Sequence, residues 1–200
     1  MNTLDAIRQR RAIKHFDPAH QFTKEETQQL IDLAMQSPSS FNIQHWRLVN
    51  VTDKALRAEL RAAAHDQAQV TDASLLFVLA VDIKAWSKDP ARYWVNAPKE
   101  AQDILVPWIN PFYSGDEQLQ RDEAMRSAGI LLQTMMLSAK AMGYDSCPMV
   151  GFDFKKVAEL IHLPKDFALA AMLPIGKATK PAWPKPGFIP QSEMIVENHF

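Results

Sequence analysis

Cysteine is almost missing from this chain. Cys147 stands alone, so no disulfide can form within it, and such thiol usage fits a reducing, cytoplasmic setting. Glycine is scarce as well. The six glycines form neither GxGxxG nor GxxxxGKS/T, which removes two common phosphate cradles. Long apolar runs are absent: SLLFVLAV is strand-sized, too short for a bilayer crossing, and the charged N-terminus MNTLDAIRQRRAIKHF lacks the apolar centre of a secretion signal. An excess of one charge is missing too. With 22 Lys and Arg against 23 Asp and Glu, nothing calls for nucleic acid or an anionic membrane as partner. The six histidines are scattered without metal-ligand spacing, so no metal site is expected.

What remains reads as a single domain over residues 1–200, long enough to bury a core. Residues 3–12 read as a helix with Leu4, Ile7 and Ala12 inward and arginines outward. Thr23-Lys24-Glu25-Glu26 has the capping-box pattern and opens a helix carrying Leu30, Ile31 and Ala34, ending near Ser37-Pro38. Trp46 to Val51 reads as a strand, Lys54 to Ala64 as a helix, and Leu75 to Val81 as a strand buried on both faces.

Residues 84–113 collect Trp86, Tyr93, Trp94, Trp108, Phe112 and Tyr113 among prolines, an excursion from the core with helix around 97–106. Ser114-Gly115-Asp116-Glu117 repeats the capping-box pattern and opens a long helix to about Met142, stopped by Gly143. From Ala128 to Met142 that helix is apolar nearly all round, which predicts burial on every side. A partner subunit over part of it, or a central place in a monomer, would each supply that burial. Ser146 to Val150 reads as a strand, Asp153 as the cap of a helix to Ile161, and Phe167 to Ile175 as the last core strand. The Pro-rich tail from 178 carries Trp183, Phe188, Ile189, Met194 and Ile195 without periodic structure to bury them, and should dock on something. The order predicts a mixed α+β layer fold.

One stretch asks for more than a fold. SPSSFNIQHW, residues 37–46, holds more short hydrogen-bonding side chains than a turn needs. Together with QRRAIKHFD (9–17), AKAMGYDSCPMVGFD (139–153) and PIGKATKP (174–181), it resembles four blocks of the FMN-dependent nitroreductase family, in that family's order. The resemblance implies an α+β homodimer: a central, mostly antiparallel sheet flanked by helices, with the long buried helix at the subunit interface. It implies two FMN sites built from both chains, and a tail, 178–200, wrapping on the partner. It implies ping-pong transfer from NAD(P)H through FMN to an acceptor such as a nitroaromatic or a quinone.

The resemblance also names residues. Arg10, Arg11 and Lys14 would hold the flavin phosphate, a dianion suited to charge-assisted donors; the plainer reading is a solvated basic face. Family members often carry Ser at the next position, where Ala12 leaves only backbone. Ser37, Pro38, Ser39, Ser40, Asn42 and Gln44 would lie beside the flavin, much of the block reaching from the other subunit; the plainer reading is a capped turn. Asp66 and Gln69 fall where the family places polar contacts to the ring, against a solvent-facing helix end as the alternative. Pro148, Met149, Val150 and Gly151 match the stretch along the ring, Gly151 permitting close backbone approach.

Lys185 matches a tail lysine that binds the phosphate. The Arg often found soon after it is replaced by Gly187-Phe188, with Lys177 or Lys180 available instead. His45, where many members have Pro, reads as a buried, hydrogen-bonded residue rather than a base, and Cys147 as a packed thiol. Trp94, Trp108, Phe112 and Tyr113 are candidates for a cover over the flavin or for ordinary interface core. Enal or semialdehyde reduction, dehalogenation and flavin binding without turnover are alternative uses of the same site.

Overall fold

Eight consecutive buried residues, Leu75–Asp82, form the strand on which everything else is laid. The computed structural model describes residues 1–200. This strand, β2, pairs with β1 (Trp46–Asn50) on one side and β4 (Phe167–Gly176) on the other; β3 (Asp145–Ser146) closes the far edge. The order is β1-β2-β4-β3, and every pairing is antiparallel.

The period of two decides what each face covers. Leu76, Val78 and Ala80 meet Leu60, Val70 and Val157, from the helices α3 (Lys54–Ala63), α4 (Gln69–Asp72) and α7 (Phe154–Leu160). Phe77, Leu79 and Val81 meet Leu30 of α2 (Lys24–Ala34) and Ala128, Leu131 and Met135 of α6 (Glu117–Ala141). A bulge between Leu79 and Ala80 sets Leu79 opposite Ala171 and Ala80 opposite Leu169. The extra residue shifts the alternation of β4, so Leu169 and Met172 share one face while Leu173 and Ile175 share the other. A third, separate cluster joins Ile43, Ala85 and Trp86 to Ile109 and Tyr113 of α5 (Lys99–Tyr113). No helix is long and apolar enough to cross a membrane.

Several elements depart from expectation. The Thr23 capping box is present in both directions, but the pattern at Ser114 is not a second one. Asp116 caps α6 by accepting the Leu119 N–H at 2.8 Å, while Ser114 ends α5 by donating to the Asn110 carbonyl at 2.9 Å. The short carboxylate beside the first helical residue takes the cap. The first helix, α1 (Thr3–Gln9), ends at Gln9 instead of 12, because Arg10 turns out of helical geometry at ψ 124°. Leu4 and Ile7 face solvent, 62% and 50% exposed, and Ala6 is the residue that packs inward; Ala12 is exposed.

Helix α5 runs through Pro107 and Pro111 to Tyr113, well past 106. Burial of α6 is one-sided: Ala128, Leu131, Met135 and Ala139 are buried, whereas Gly129, Ile130, Gln133 and Ala141 are exposed in the single chain. The tail is exposed almost throughout, with Trp183 and Phe188 84% exposed or more and only a short helix, α8 (Gln191–Met194).

Where β4 ends, Gly176 is held against its neighbours. A Cβ there would lie 3.1 Å from the Phe16 ring and 3.1 Å from the Ser74 backbone nitrogen. Gly176→Ala is therefore expected to lower unfolding stability by about 1–3 kcal/mol through overpacking, measurable by urea titration; an unchanged midpoint would show that the edge relaxes freely.

Candidate functional site

After Arg10 leaves α1, the chain runs extended along the sheet edge. Ala12 bridges Ser146 in parallel, and the Ile13 N–H donates to the Ser146 carbonyl at 3.0 Å. The same strand-like run pairs with the segment after β4: Asp17 N–H donates to Lys177 O at 2.9 Å, and Thr179 N–H to His15 O at 3.0 Å. Met149 continues the edge by bridging Met172. Three of the four sequence blocks thus become neighbours through backbone pairing alone.

Side chains carry the connection further. The Gln69 amide is buried and donates to Gln67 Oε1 at 3.0 Å, with the Cys147 sulfur 3.9 Å away. Gln67 in turn donates to the carbonyls of Ala64 and Gly151, both at 3.0 Å. Burial pushes the Cys147 thiol up, opposed by the nearby Lys14 ammonium and by Gln69, so it is a packed thiol rather than a reactive one. The result is a row: Lys14, Cys147, Gln69, Gln67, Gly151. Gln69 is no solvent-facing helix end; it braces the edge. Asp66, by contrast, is turned to solvent and paired with Arg61 at 2.7 Å.

Gln67 adds a residue that the sequence signals only through the Gln67-Ala68-Gln69 spacing. At Gly151 an added Cβ would meet only Gln67 Nε2 at 3.9 Å. Nothing within the chain demands glycine there, so any need for close approach comes from a molecule outside it. Pro148 is half-buried, Met149 buried, and Val150 66% exposed beside them.

The cations gather at the upstream end. Arg10 is a half-buried residue, and its guanidinium forms no hydrogen bond or ion pair within the chain. Arg11 donates to the Trp183 carbonyl, the one side-chain hydrogen bond that holds the tail. Arg11 and Lys180 share a cleft of about 360 Å³ with Thr179 and Lys140, and Lys140 is neutralised by Asp145 at 2.8 Å. Lys185 sits farther along the tail over the Phe188 ring, 5.4 Å from its centre.

The block at 37–44 is elsewhere. It leads into Trp46, opposite Val81, whereas Ser146 pairs with Ile175, opposite Leu75. Leu75 and Val81 lie about 20 Å apart along the strand. Within the chain this block closes its own turn: Ser37 Oγ donates to Ala34 O at 2.7 Å, and Ser39 Oγ accepts the Gln44 N–H at 3.0 Å. It is also pinned to the excursion, Asn42 donating to Tyr93 O at 2.7 Å and Trp94 to Phe41 O at 3.0 Å. Phe41, Asn42 and Gln44 all hold positive φ, 49°, 55° and 51°. Phe41 in that region is strained and is held by these two bonds.

His45 is fully buried, but neither ring nitrogen has a hydrogen-bond partner, which corrects the expectation of a satisfied histidine. Burial lowers its pKa to about 4, with Asp82 raising it and Arg47 lowering it further. Two groups nearby also lack a partner of good hydrogen-bond geometry: the Tyr113 hydroxyl, raised in pKa by burial against the lowering effect of the adjacent Ser40 and of Arg126, and the Trp86 indole N–H, whose ring stacks on Tyr113 at 5.8 Å.

A sequence model described as the Nitroreductase family matches residues 7–177. The chain belongs to the nitroreductase family. Protein DrgA of Synechocystis sp. is 54% identical over 200 residues, covering 98% of this chain and 95% of that protein. YodC of Bacillus subtilis, provisionally named an NAD(P)H nitroreductase, is 32% identical over 90% of this chain and 92% of its own length. Among solved structures, a provisionally named nitroreductase from Exiguobacterium sibiricum, in complex with FMN, superposes at TM-score 0.90 with 27% identity, covering 98% of this chain and 97% of that one. The nitroreductase fold, α+β with a four-stranded antiparallel sheet between helices, is thereby shared.

Proposed function

We propose that this nitroreductase-family chain is an NAD(P)H-dependent FMN oxidoreductase whose flavin lies along the edge built by residues 10–14, 67–69 and 147–151. The observation carrying this reading is the convergence of Lys14, Gln69 and Gly151 at one edge, with Arg10 uncommitted beside it. It is supported by the FMN complex of the Exiguobacterium relative and by the name NAD(P)H nitroreductase borne by YodC.

The donor set fits the group. Arg10, Arg11 and Lys14 suit a phosphate dianion, with Lys180 and the tail Lys185 as further cations and Ala12 contributing backbone only. Gln67 and Gln69 fix the 148–151 stretch so that it can border a flat ring, and a missing Cβ at Gly151 leaves the backbone bare to it. Bound there, FMN would supply a carrier that accepts hydride from NAD(P)H and hands it to an acceptor. The chain's own task is to bind, orient and exclude water. No side-chain nucleophile is required.

A second copy completes the site. Residues 37–44 stand about 20 Å along the sheet from the basic end, so Ser39, Ser40, Asn42 and Gln44 would serve a partner's flavin. The bare face of α6 around Ile130 and the exposed Trp183, Phe188 and Ile195 of the tail are apolar surfaces suited to the same homodimer. Trp94, Trp108 and Phe112 then cover the acceptor, for which nitroaromatics and quinones are the proposed class.

Purified protein is expected to be yellow with about one FMN per chain, and to bleach when NADH or NADPH is added without oxygen. Sedimentation should give a dimer, and removal of residues 183–200 should loosen dimer and flavin together. A flavin that stays oxidised under excess NADH and NADPH would favour binding without turnover. Tighter FAD than FMN binding, or a folded monomer at micromolar concentration, would overturn the site as drawn.

A further inference from the structure

A cavity of about 490 Å³ opens away from the flavin edge, between the end of β1, the start of α3 and the start of β2. Its polar lining is distinctive. Asn50, Thr52, Lys54, Arg57, Thr71 and Ser74 face it, and no carboxylate does. Its size suits a small molecule.

Arg57 is the centre of the case. Three carbonyls fix its guanidinium: Val51 at 2.9 Å from Nε, Ala73 at 2.6 Å from Nη1 and Ser74 at 3.1 Å from Nη2. Burial depresses its pKa, and no Asp or Glu lies within ion-pair distance to compensate. A guanidinium has five N–H donors, so this one retains capacity while locked in orientation. Lys54 at the rim forms neither ion pair nor hydrogen bond, and the Asn50 and Thr52 side chains are likewise uncommitted. The flanking carboxylates are occupied elsewhere: Asp53 accepts the Leu56 N–H at 2.7 Å, and Asp72 accepts from the Thr71 hydroxyl at 2.9 Å. Arg61, whose charge is balanced by Asp66 at 2.7 Å, orients the wall by donating to Thr71 Oγ1 at 3.0 Å.

The geometry points to a second anion site, for a small phosphate-bearing molecule with a polar body. The phosphate meets Arg57 and Lys54, a preoriented fork and a mobile ammonium. The uncharged part meets the Asn50 amide, the Thr52 hydroxyl and the Phe22 ring. This site is independent of the flavin reading, since none of its lining residues belongs to the basic stretch at 10–14.

The test is calorimetric titration of FMN-loaded protein with AMP and inorganic phosphate, adenosine serving as the uncharged control. AMP and phosphate should bind and adenosine should not. Lys54 is exposed and unpaired, so Lys54→Glu should keep the melting temperature while weakening AMP by about tenfold or more. Arg10→Ala, held saturated with excess FMN so that the flavin phosphate subsite stays filled, should leave this binding unchanged. No heat with AMP or phosphate, or equal affinity in Lys54→Glu, overturns the proposal. So does loss in Arg10→Ala with none in Lys54→Glu, which would assign the phosphate to the basic stretch. Protein that binds AMP through Lys54 yet never retains FMN would leave this site standing and sink the flavin reading alone.

Discussion

Arg10→Ala is expected to weaken FMN binding on the order of 10–100-fold while leaving riboflavin binding almost unchanged. The phosphate is the only difference between the two ligands, so the comparison isolates one contact. A charge-assisted hydrogen bond is worth roughly 1.5–3 kcal/mol, and the guanidinium of half-buried Arg10 has no competing partner in the chain. Rising salt should narrow the FMN difference, because a partly exposed pair is screened. Arg11 is the useful contrast, since its guanidinium already donates to the Trp183 carbonyl. Its removal should affect the tail as well as the phosphate. Calorimetry on wild type and Arg10→Ala with both flavins decides the matter. Equal losses would mean that Arg10 supports the fold or the ring, and a loss below about 0.5 kcal/mol would mark a plain surface residue.

The second large effect is on stability in mild acid. His45 is neutral in the fold, with a pKa of about 4 against an ordinary 6.5. Above 6.5 it is neutral both folded and unfolded and contributes no pH dependence. As pH falls below 6.5 the unfolded imidazole takes a proton that the buried ring refuses. Stability therefore declines through this window and stops declining, for this group, below about 4. The full difference corresponds to about 3 kcal/mol.

His45→Leu removes both the titration and two unsatisfied ring nitrogens. Its unfolding free energy should change less than wild type's between pH 6.5 and pH 4. Subtracting the two profiles removes the carboxylates they share. Parallel profiles would mean that the ring reaches a partner or solvent in solution.

Much of this was readable in the residues, for physical reasons that differ from place to place. A run such as Leu75 to Val81, short, continuously apolar and followed by charge, favours a doubly covered strand, and Thr23 with Glu26 satisfies helix-end donors locally; both signals need nothing distant. Ser114 with Glu117 has the same spacing and misleads, because Asp116 offers a carboxylate one residue nearer the helix. The prolines of α5 disguise a helix that continues through them, since tertiary contact at Ile109 and Tyr113 holds it. The all-round apolar character of α6 was correctly seen, but the single chain covers only one side.

Arg10, Lys14, Gln69 and Gly151 are nameable from the sequence as candidates for the proposed site. Their meeting at one edge, and the placement of residues 37–44 at the other end, depend on strand register, which residue spacing does not encode. Gln67 escaped notice because its role is to accept from Gln69 and donate to a distant carbonyl. The basic cavity at Arg57 has no local signature at all: its lining comes from three separate segments, 18–22, 50–57 and 71–75.

The third cluster, Ile43, Ala85, Trp86, Ile109 and Tyr113, shares no residue with the two clusters that sandwich the sheet. Lineages of this chain can therefore exchange Ile104, Trp108 and Phe112, which lie outside all three clusters, at little risk to the folded sheet. If Trp108 and Phe112 cover the acceptor as proposed, divergence in what the protein accepts and persistence of what holds it together fall on separate parts of one short sequence.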